Sequence, residues 1–136
     1  MATTWLSTHG IGAIKDSSSS FAITADKGSA LVRPTNPNQL SGWIHFTIPS
    51  PPVISPNLKE VAVDFSSQSA SVDTVAVYLA NSVKFKEEGL QKDQSFTLPI
   101  TSTSAVYERK GLAVAILVQF DNVGSNLRLQ SVGIQV

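Results

Sequence analysis

The sequence predicts an all-β protein, an antiparallel β-sandwich of the jelly-roll or Greek-key kind with about eight or nine strands. Three observations support this prediction. Apolar and polar residues alternate with a period of two in several segments, and turn-forming residues recur about every ten positions. Charged residues make up only 15% of the chain, against roughly 25% in average domains. Ser, Thr, Asn and Gln take their place, and these residues suit the solvent-facing sides of strands and turns.

The clearest alternation runs from Gly42 to Pro49. One side of this predicted strand is apolar and suits a core, whereas the other carries an indole and an imidazole, which an ordinary solvated surface does not need. We therefore expect the strand to serve the core with one side and a ligand with the other. The core side consists of Ile44, Phe46 and Ile48, and the opposite side of Trp43, His45 and Thr47.

Eight further segments have strand character. One of them, Leu112–Phe120, is apolar on both sides, which predicts a central strand covered on both faces. The most charged stretch, Lys84–Gly89, fits either one helical turn ended by Gly89 or the ragged end of a strand. The eight segments are Thr3–Thr8, Phe21–Thr24, Ala30–Val32, Leu58–Ser66, Val72–Leu79, Gln94–Leu98, Leu112–Phe120 and Leu127–Val136.

The closing segment changes parity along its length. Leu127 and Leu129 share one parity, and Val132 and Ile134 have the other. Without a correction, one half of the strand would point its apolar side chains to solvent. A single extra residue near Gln130–Ser131 restores one continuous core side, so the pattern predicts a β-bulge there.

Two connections carry topological information. The turn at Asp26–Gly28 suits a tight hairpin between two short strands. The segment Ser50–Asn57 contains three prolines and predicts a stiff crossover between two sheets. Such a crossover favours a sandwich over the alternative, a closed lipocalin-like barrel, because up-and-down barrels are linked mostly by hairpins.

Length and composition exclude several classes of function. The 136 residues are predicted to form a single domain, 1–136. The absence of cysteine excludes disulfides, thiolate catalysis and cysteine-ligated metals. Ten basic and ten acidic side chains cancel, and no basic stripe stands out, so we expect no nucleic-acid partner. No apolar run is long enough for a membrane span, and Met1–Trp5 does not resemble a signal peptide, so we expect a soluble cytoplasmic protein.

No resident metal or other cofactor is predicted. The two histidines lack the spacing of a metal motif. The turn Asp121–Asn126 offers oxygen ligands but lacks the alternating acidic pattern of a strong calcium site. A plain hairpin turn is the simpler interpretation of that segment.

Five residues are candidates for ligand binding or catalysis: Trp5, His9, Trp43, His45 and Tyr78. Aromatic side chains offer a flat apolar face with a polar edge, which suits stacking on a sugar or a planar metabolite, and an imidazole exchanges protons near neutral pH. If the protein were an enzyme, His45 or His9 would act beside an orienting carboxylate such as Asp64 or Asp73. In the opposing interpretation, both indoles cover the end of the core and each histidine bonds a backbone group. The predicted ligand-binding residues are Trp43, His45, Trp5 and Tyr78.

Three functions fit this pattern. The first is a non-enzymatic binding module, lectin-like or specific for a small metabolite. The second is a cofactor-independent lyase, isomerase or cyclase that positions its substrate beside His45. The third is a structural protein, since low surface charge and polar strands permit assembly into a homo-oligomer. A deep pocket beside His45 would favour the enzyme, and a shallow exposed shelf would favour the binding module.

The motifs of the chain are Trp5 followed by His9-Gly10, Gly42–Phe46 running into Ile48–Pro51, Val75–Tyr78, Gly111–Val114 and Val132–Ile134. Together they resemble a family of small uncharacterised, mostly bacterial, β-sandwich proteins. Those proteins open on a Trp-x-His-Gly-like strand and later carry a Trp-x-His-x-x-Ile-Pro-x-Pro-like strand. Here three residues separate Trp5 from His9 instead of one, so the resemblance implies no role for His9. It implies the sandwich fold and leaves function open, since the family has no established activity.

Overall fold

The computed structural model describes residues 5–16, 20–48, 58–80, 82–100 and 111–136. These residues form two antiparallel sheets built from eleven strands, so the predicted all-β sandwich is confirmed. The strand count is two higher than the upper prediction. One added strand has only two residues, too few to show an alternation. The other is the charged stretch, which forms a strand and not a helical turn. The strands are β1 (Trp5–His9), β2 (Ile14–Lys15), β3 (Phe21–Asp26), β4 (Ser29–Pro34), β5 (Ser41–Ile48), β6 (Glu60–Gln68), β7 (Ala70–Leu79), β8 (Ser82–Glu87), β9 (Gln94–Pro99), β10 (Leu112–Phe120) and β11 (Asn126–Gln135).

The strand order shows a chain that passes repeatedly between the sheets. Sheet A has the order β3-β4-β11-β6-β9, and sheet B the order β2-β5-β10-β7-β8. Strand β1 pairs with the second half of β11, beyond the part that pairs with β4. Strands β5 and β6 lie in different sheets, as a crossover after Ile48 requires. The proline-rich connection itself lies outside the described residues.

The core lies between the two sheets and is filled by the inward side of each strand. On β5, Ile44, Phe46 and Ile48 are buried, as their alternation predicts. At one end of the core, Phe21 meets Phe120 edge to face, with ring centroids 5.2 Å apart. This edge-to-face arrangement is favoured for aromatic pairs and adds to the burial of apolar surface.

The predicted β-bulge in β11 is confirmed. The register of β11 against β6 shifts between Leu129 and Ser131, and Gln130 is exposed. Leu129 and Val132 are both fully buried despite their opposite parity. The short 3-10 helix Gly10–Gly12 packs against this bulge so closely that a Cβ atom on Gly10 would lie 1.9 Å from the carbonyl oxygen of Leu129.

The predicted hairpin between β3 and β4 is also confirmed. Asp26 pairs with Ser29 across a two-residue turn in which Lys27 and Gly28 both have positive φ. That backbone is the turn whose twist matches the twist of the flanking strands. Among the residues described, none belongs to a helix with the length and apolar character needed to cross a membrane.

Candidate functional site

The outer surface of sheet B carries most of the candidate residues. On β5, Trp43 and His45 point away from the core and are half-buried, and Thr47 beside them is exposed. Tyr78 lies on the same surface, on β7, because its register partner Ala113 is also the partner of Thr47. Three of the four predicted ligand-binding residues therefore share one face of the sandwich.

Strand pairing arranges this surface in three rows that cross the sheet. The middle row has small residues at its centre, flanked by rows with larger side chains. We call this surface the Trp43 face and define it by these rows. The middle row is Ile14, His45, Ala115, Ala76 and Lys86; one flanking row is Trp43, Leu117 and Thr74, and the other is Thr47, Ala113, Tyr78 and Val83.

Two alanines form the floor of the Trp43 face. Ala115 and Ala76 retain only 0% and 1% of their surface accessible, although they point away from the core. Because each side chain ends at Cβ, the floor is lower than the rows beside it, and the longer neighbours cover it. His45 bounds the floor at one end and Lys86 at the other. The result is a low row of the sheet, called the trough below, whose alanines are covered by the longer side chains around them.

Lys86 reaches over this trough. Its Nζ lies 6.0 Å from the centroid of the Trp43 ring, although strands β7 and β10 separate β8 from β5. The aliphatic stem of Lys86 must pass over β7 to bring the ammonium there, so it helps to cover the floor. A separation of about 6 Å is the outer limit of an attractive cation–π contact. Nζ also lies 3.1 Å from Glu88 Oε1, so the ammonium has a second anchor.

His45 is paired with a carboxylate that the sequence did not single out. Its Nε2 lies 2.9 Å from Asp16 Oδ1, and the two side chains are 37% and 32% exposed. The backbone N–H of Asp16 donates to the Trp43 carbonyl oxygen at 2.9 Å, which holds this carboxylate beside β5. The pair can offer both a hydrogen-bond donor and an acceptor to a ligand.

The sequence analysis named Asp64 and Asp73 as possible partners of His45 or His9, and neither of them is the partner of His45. Asp64 accepts a hydrogen bond from the Ser131 hydroxyl in sheet A. Asp73 accepts one from the hydroxyl of its neighbour Thr74. The partner of His45 comes instead from a short strand at the sheet edge, 29 residues earlier in the chain.

Trp5 does not join the other candidates, so the prediction of one site with all four residues needs correction. Strand β1 pairs with β11 in sheet A, and Trp5 lies on the outer surface of that sheet, on the opposite side of the sandwich. His9 is at the end of the same strand. Its Nδ1 accepts a hydrogen bond from the backbone N–H of Ile11 at 3.0 Å, so it caps the 3-10 helix. This is the backbone-bonding role that the opposing interpretation assigns to a histidine.

The residues missed by sequence reasoning are Asp16, Lys86 and the alanine floor. Ala113 and Ala115 alternate within a strand of large apolar residues, and this signal could have indicated a low surface on β10. Asp16 and Lys86 gave no comparable signal, because their roles depend on which strands are neighbours.

The described residues contain no group of three or more His, Cys, Asp or Glu side chains arranged to hold a metal ion. In the turn Asp121–Asn126, Asn122 Oδ1 accepts the Gly124 N–H at 2.8 Å, and Ser125 Oγ accepts the Asn122 N–H at 3.2 Å. These side-chain oxygens serve the turn itself, as in Asx-type turns.

Comparison with known proteins identified structural neighbours only. No family model matches the sequence, and a search of curated proteins found no relative, so the family resemblance noted above stays a prediction. A low-affinity xylan-binding module, CBM86 from Roseburia intestinalis, superposes with a TM-score of 0.61 at 11% identity, covering 96% of this chain and 94% of that one. A family 29 carbohydrate-binding module gives 0.58 at 8% identity and covers 99% and 90%. The module CBM29_1 from Piromyces equi gives 0.57 at 6% identity and covers 99% and 91%. At these identities the likeness establishes a shared fold.

Proposed function

We propose that the protein is a non-enzymatic carbohydrate-binding module that binds its ligand on the Trp43 face. The observation that carries the proposal is the placement of Trp43 and Tyr78 on one outer face of the sandwich, on either side of the row that contains Ala115 and Ala76. The structural neighbours named above are carbohydrate-binding modules, and they support the same class of ligand.

The aromatic residues supply the apolar contacts. The flat faces of an indole and a phenol match the apolar faces of sugar rings, which are the surfaces a saccharide can bury without losing hydrogen bonds. Trp43 and Tyr78 lie on strands either side of β10, and their register partners on β10 are four residues apart. This places their Cα atoms about 16 Å apart. That span suits an oligosaccharide better than a single sugar.

The polar residues can orient a bound saccharide through hydrogen bonds. The His45–Asp16 pair and the exposed Thr47 hydroxyl lie on the β5 side of the trough. The ammonium of Lys86 lies above it. Sugar hydroxyls both donate and accept hydrogen bonds, so a mixed set of this kind can fix the position of a saccharide chain lying across the Trp43 face.

The His45–Asp16 pair also favours a second candidate, an acid–base enzyme. A carboxylate within hydrogen-bond distance of an imidazole is the arrangement that holds a general base in position. Such an enzyme would enclose its substrate to exclude water, whereas the Trp43 face is the outer surface of sheet B. The shape therefore supports the binding module.

The proposal is tested by affinity gel electrophoresis and isothermal titration calorimetry with xylan, glucomannan and mixed-linkage β-glucan. We expect retardation by at least one of these polysaccharides. Trp43→Ala should weaken binding at least about tenfold, which corresponds to about 1.4 kcal/mol. Tyr78→Ala should also weaken it, because the second stacking surface is lost.

The matched control is Val123→Ala, which trims an exposed apolar side chain in the turn after β10. This variant should bind as the parent does. Unchanged binding by Trp43→Ala would remove the Trp43 face from the site. Turnover of a carbohydrate that is lost in His45→Ala would favour the enzyme.

A further inference from the structure

We infer that the outer surface of sheet A holds a second carbohydrate-binding site, built around Trp5. The ligand class rests on the proposed function, but the residues, the sheet and the direction of approach are independent of the Trp43 face. With both sites, the module binds chains on two opposite sides.

Trp5 is the more exposed of the two tryptophans, and it borders a depression in the outer surface of sheet A. The residue is 43% exposed and lies on β1, the strand that extends sheet A beside the second half of β11. The depression has a volume of about 360 Å³ and opens to solvent. Its other walls and floor come from Ser7, Ala62, Asp64, Thr97, Ser131 and Gly133.

Strand pairing arranges the residues of this depression as on the Trp43 face, with a row of small side chains between two other rows. The central row is Ser7, Gly133, Ala62 and Thr97, all with small side chains. A row containing Trp5 lies on one side, and a row with Ser131 and Asp64 lies on the other. A Cβ atom on Gly133 would lie 2.8 Å from Ser7 Oγ, so any larger residue there would have to displace this hydroxyl.

The polar wall faces the indole across the low row. The Ser131 hydroxyl donates to Asp64 Oδ2 at 2.8 Å, which orients the carboxylate. Asp64 itself is exposed, so its remaining acceptor positions face solvent. A carboxylate held in this way can accept two hydrogen bonds from neighbouring hydroxyls of one sugar.

The chemistry of the walls selects a neutral polyol. Among the described residues, those that line the depression include one carboxylate and no lysine or arginine. Such a surface disfavours phosphate and other anions. An aromatic wall opposite a carboxylate and hydroxyl groups is suited to a sugar ring, which stacks on one side and donates hydrogen bonds on the other.

The two sites cannot bind the same stretch of one rigid chain, because two packed sheets, about 10 Å apart, separate them. They can bind two chains, or two distant parts of one flexible chain. Binding to a polymer then gains avidity from the second contact, and separate chains become cross-linked.

The experiment uses the two indole N–H signals in the ¹⁵N–¹H spectrum of the full chain, one from each tryptophan. Xylohexaose, cellohexaose and mannohexaose are the probes. We expect both signals to shift along saturable curves with one of these probes. Trp5→Ala removes the Trp5 signal and should leave the titration curve of the Trp43 signal unchanged. Trp43→Ala removes the Trp43 signal and should leave the curve of the Trp5 signal unchanged.

The outcomes separate the two proposals. A shift of the Trp43 signal alone would overturn the second site and leave the proposed function standing. A shift of the Trp5 signal alone would support the second site and overturn the Trp43 face. If neither signal shifted with any probe, both would be overturned.

A second set of variants guards against misfolding of Trp5→Ala. Asp64→Ala should weaken binding at Trp5 at least about tenfold while both indole signals keep their positions in the free protein. Asp121→Ala removes an exposed carboxylate outside both faces and should change neither curve. Turbidity with the matching polysaccharide should rise for the parent and fail to rise for either single tryptophan variant. Equal turbidity for all three proteins would contradict cross-linking through two sites.

Discussion

Lys86 Nζ lies 6.0 Å from the centroid of the Trp43 ring, although two strands separate the backbones of these residues. The contact draws one long side chain across the outer surface of sheet B and helps to bury the alanines beneath it. Lys86 is therefore one of the side chains that lie above the trough. A ligand that lies on the floor has to displace Lys86 or share the Trp43 ring with it.

Replacing Lys86 should uncover Trp43. In a Trp5→Phe background Trp43 is the only tryptophan and can be excited selectively. Lys86→Ala should shift its emission to longer wavelength because water reaches the ring. Lys86→Met keeps the aliphatic stem and should shift the emission less. The control is Lys84→Ala, which removes another lysine from β8 and should leave the spectrum unchanged. An unaltered spectrum in Lys86→Ala would mean that the contact does not cover the indole in solution.

Filling the floor should block the Trp43 face without destroying the fold. Ala115→Leu adds a branched side chain where the surface is lowest, and it should reduce polysaccharide binding at least about tenfold. The covering residues have to shift, so the free energy of unfolding should fall by about 1–3 kcal/mol. The control Ala25→Leu adds the same volume at an exposed position of β3. Full binding by a folded Ala115→Leu variant would place the site elsewhere.

Gly10 should tolerate no side chain. Because a Cβ atom there would meet the carbonyl of Leu129 at 1.9 Å, Gly10→Ala must push the 3-10 helix away from the bulge. We expect a loss of about 2 kcal/mol or more in the free energy of unfolding, measured with urea. Gly111→Ala meets no heavy atom within 4 Å and should be close to neutral. Equal stability of the two variants would show that the helix can move without cost.

Deleting Gln130 should be far more damaging than replacing it. The residue is the exposed extra position that lets β11 bury Leu129 and Val132 together. Its removal would turn one half of the strand to the wrong side, so we expect the deletion variant to fail to fold. Gln130→Ala keeps the bulge and should lose less than about 0.5 kcal/mol. Circular dichroism and thermal unfolding would show the difference, and a stable deletion variant would contradict the role of the bulge.

Much of the local structure was predictable, because the burial of a strand follows from its own alternation. The buried side of β5, the hairpin at Asp26–Gly28 and the bulge at Gln130–Ser131 all follow from side chains close together in the chain. The short strand β2 could not be predicted in this way. Its two residues are stabilised by pairing with β5, and two residues show no period.

The sequence by itself therefore determined which side of each long strand faces the core, and with it that Trp43 and His45 share an outer surface. Only the tertiary structure decided which strands lie next to one another. That choice brought Asp16 to His45 and Lys86 to Trp43, and it placed Trp5 on the opposite sheet. The physical reason is that alternation is a property of one strand, whereas a surface site is built across several strands that are joined by contacts between residues distant in the chain.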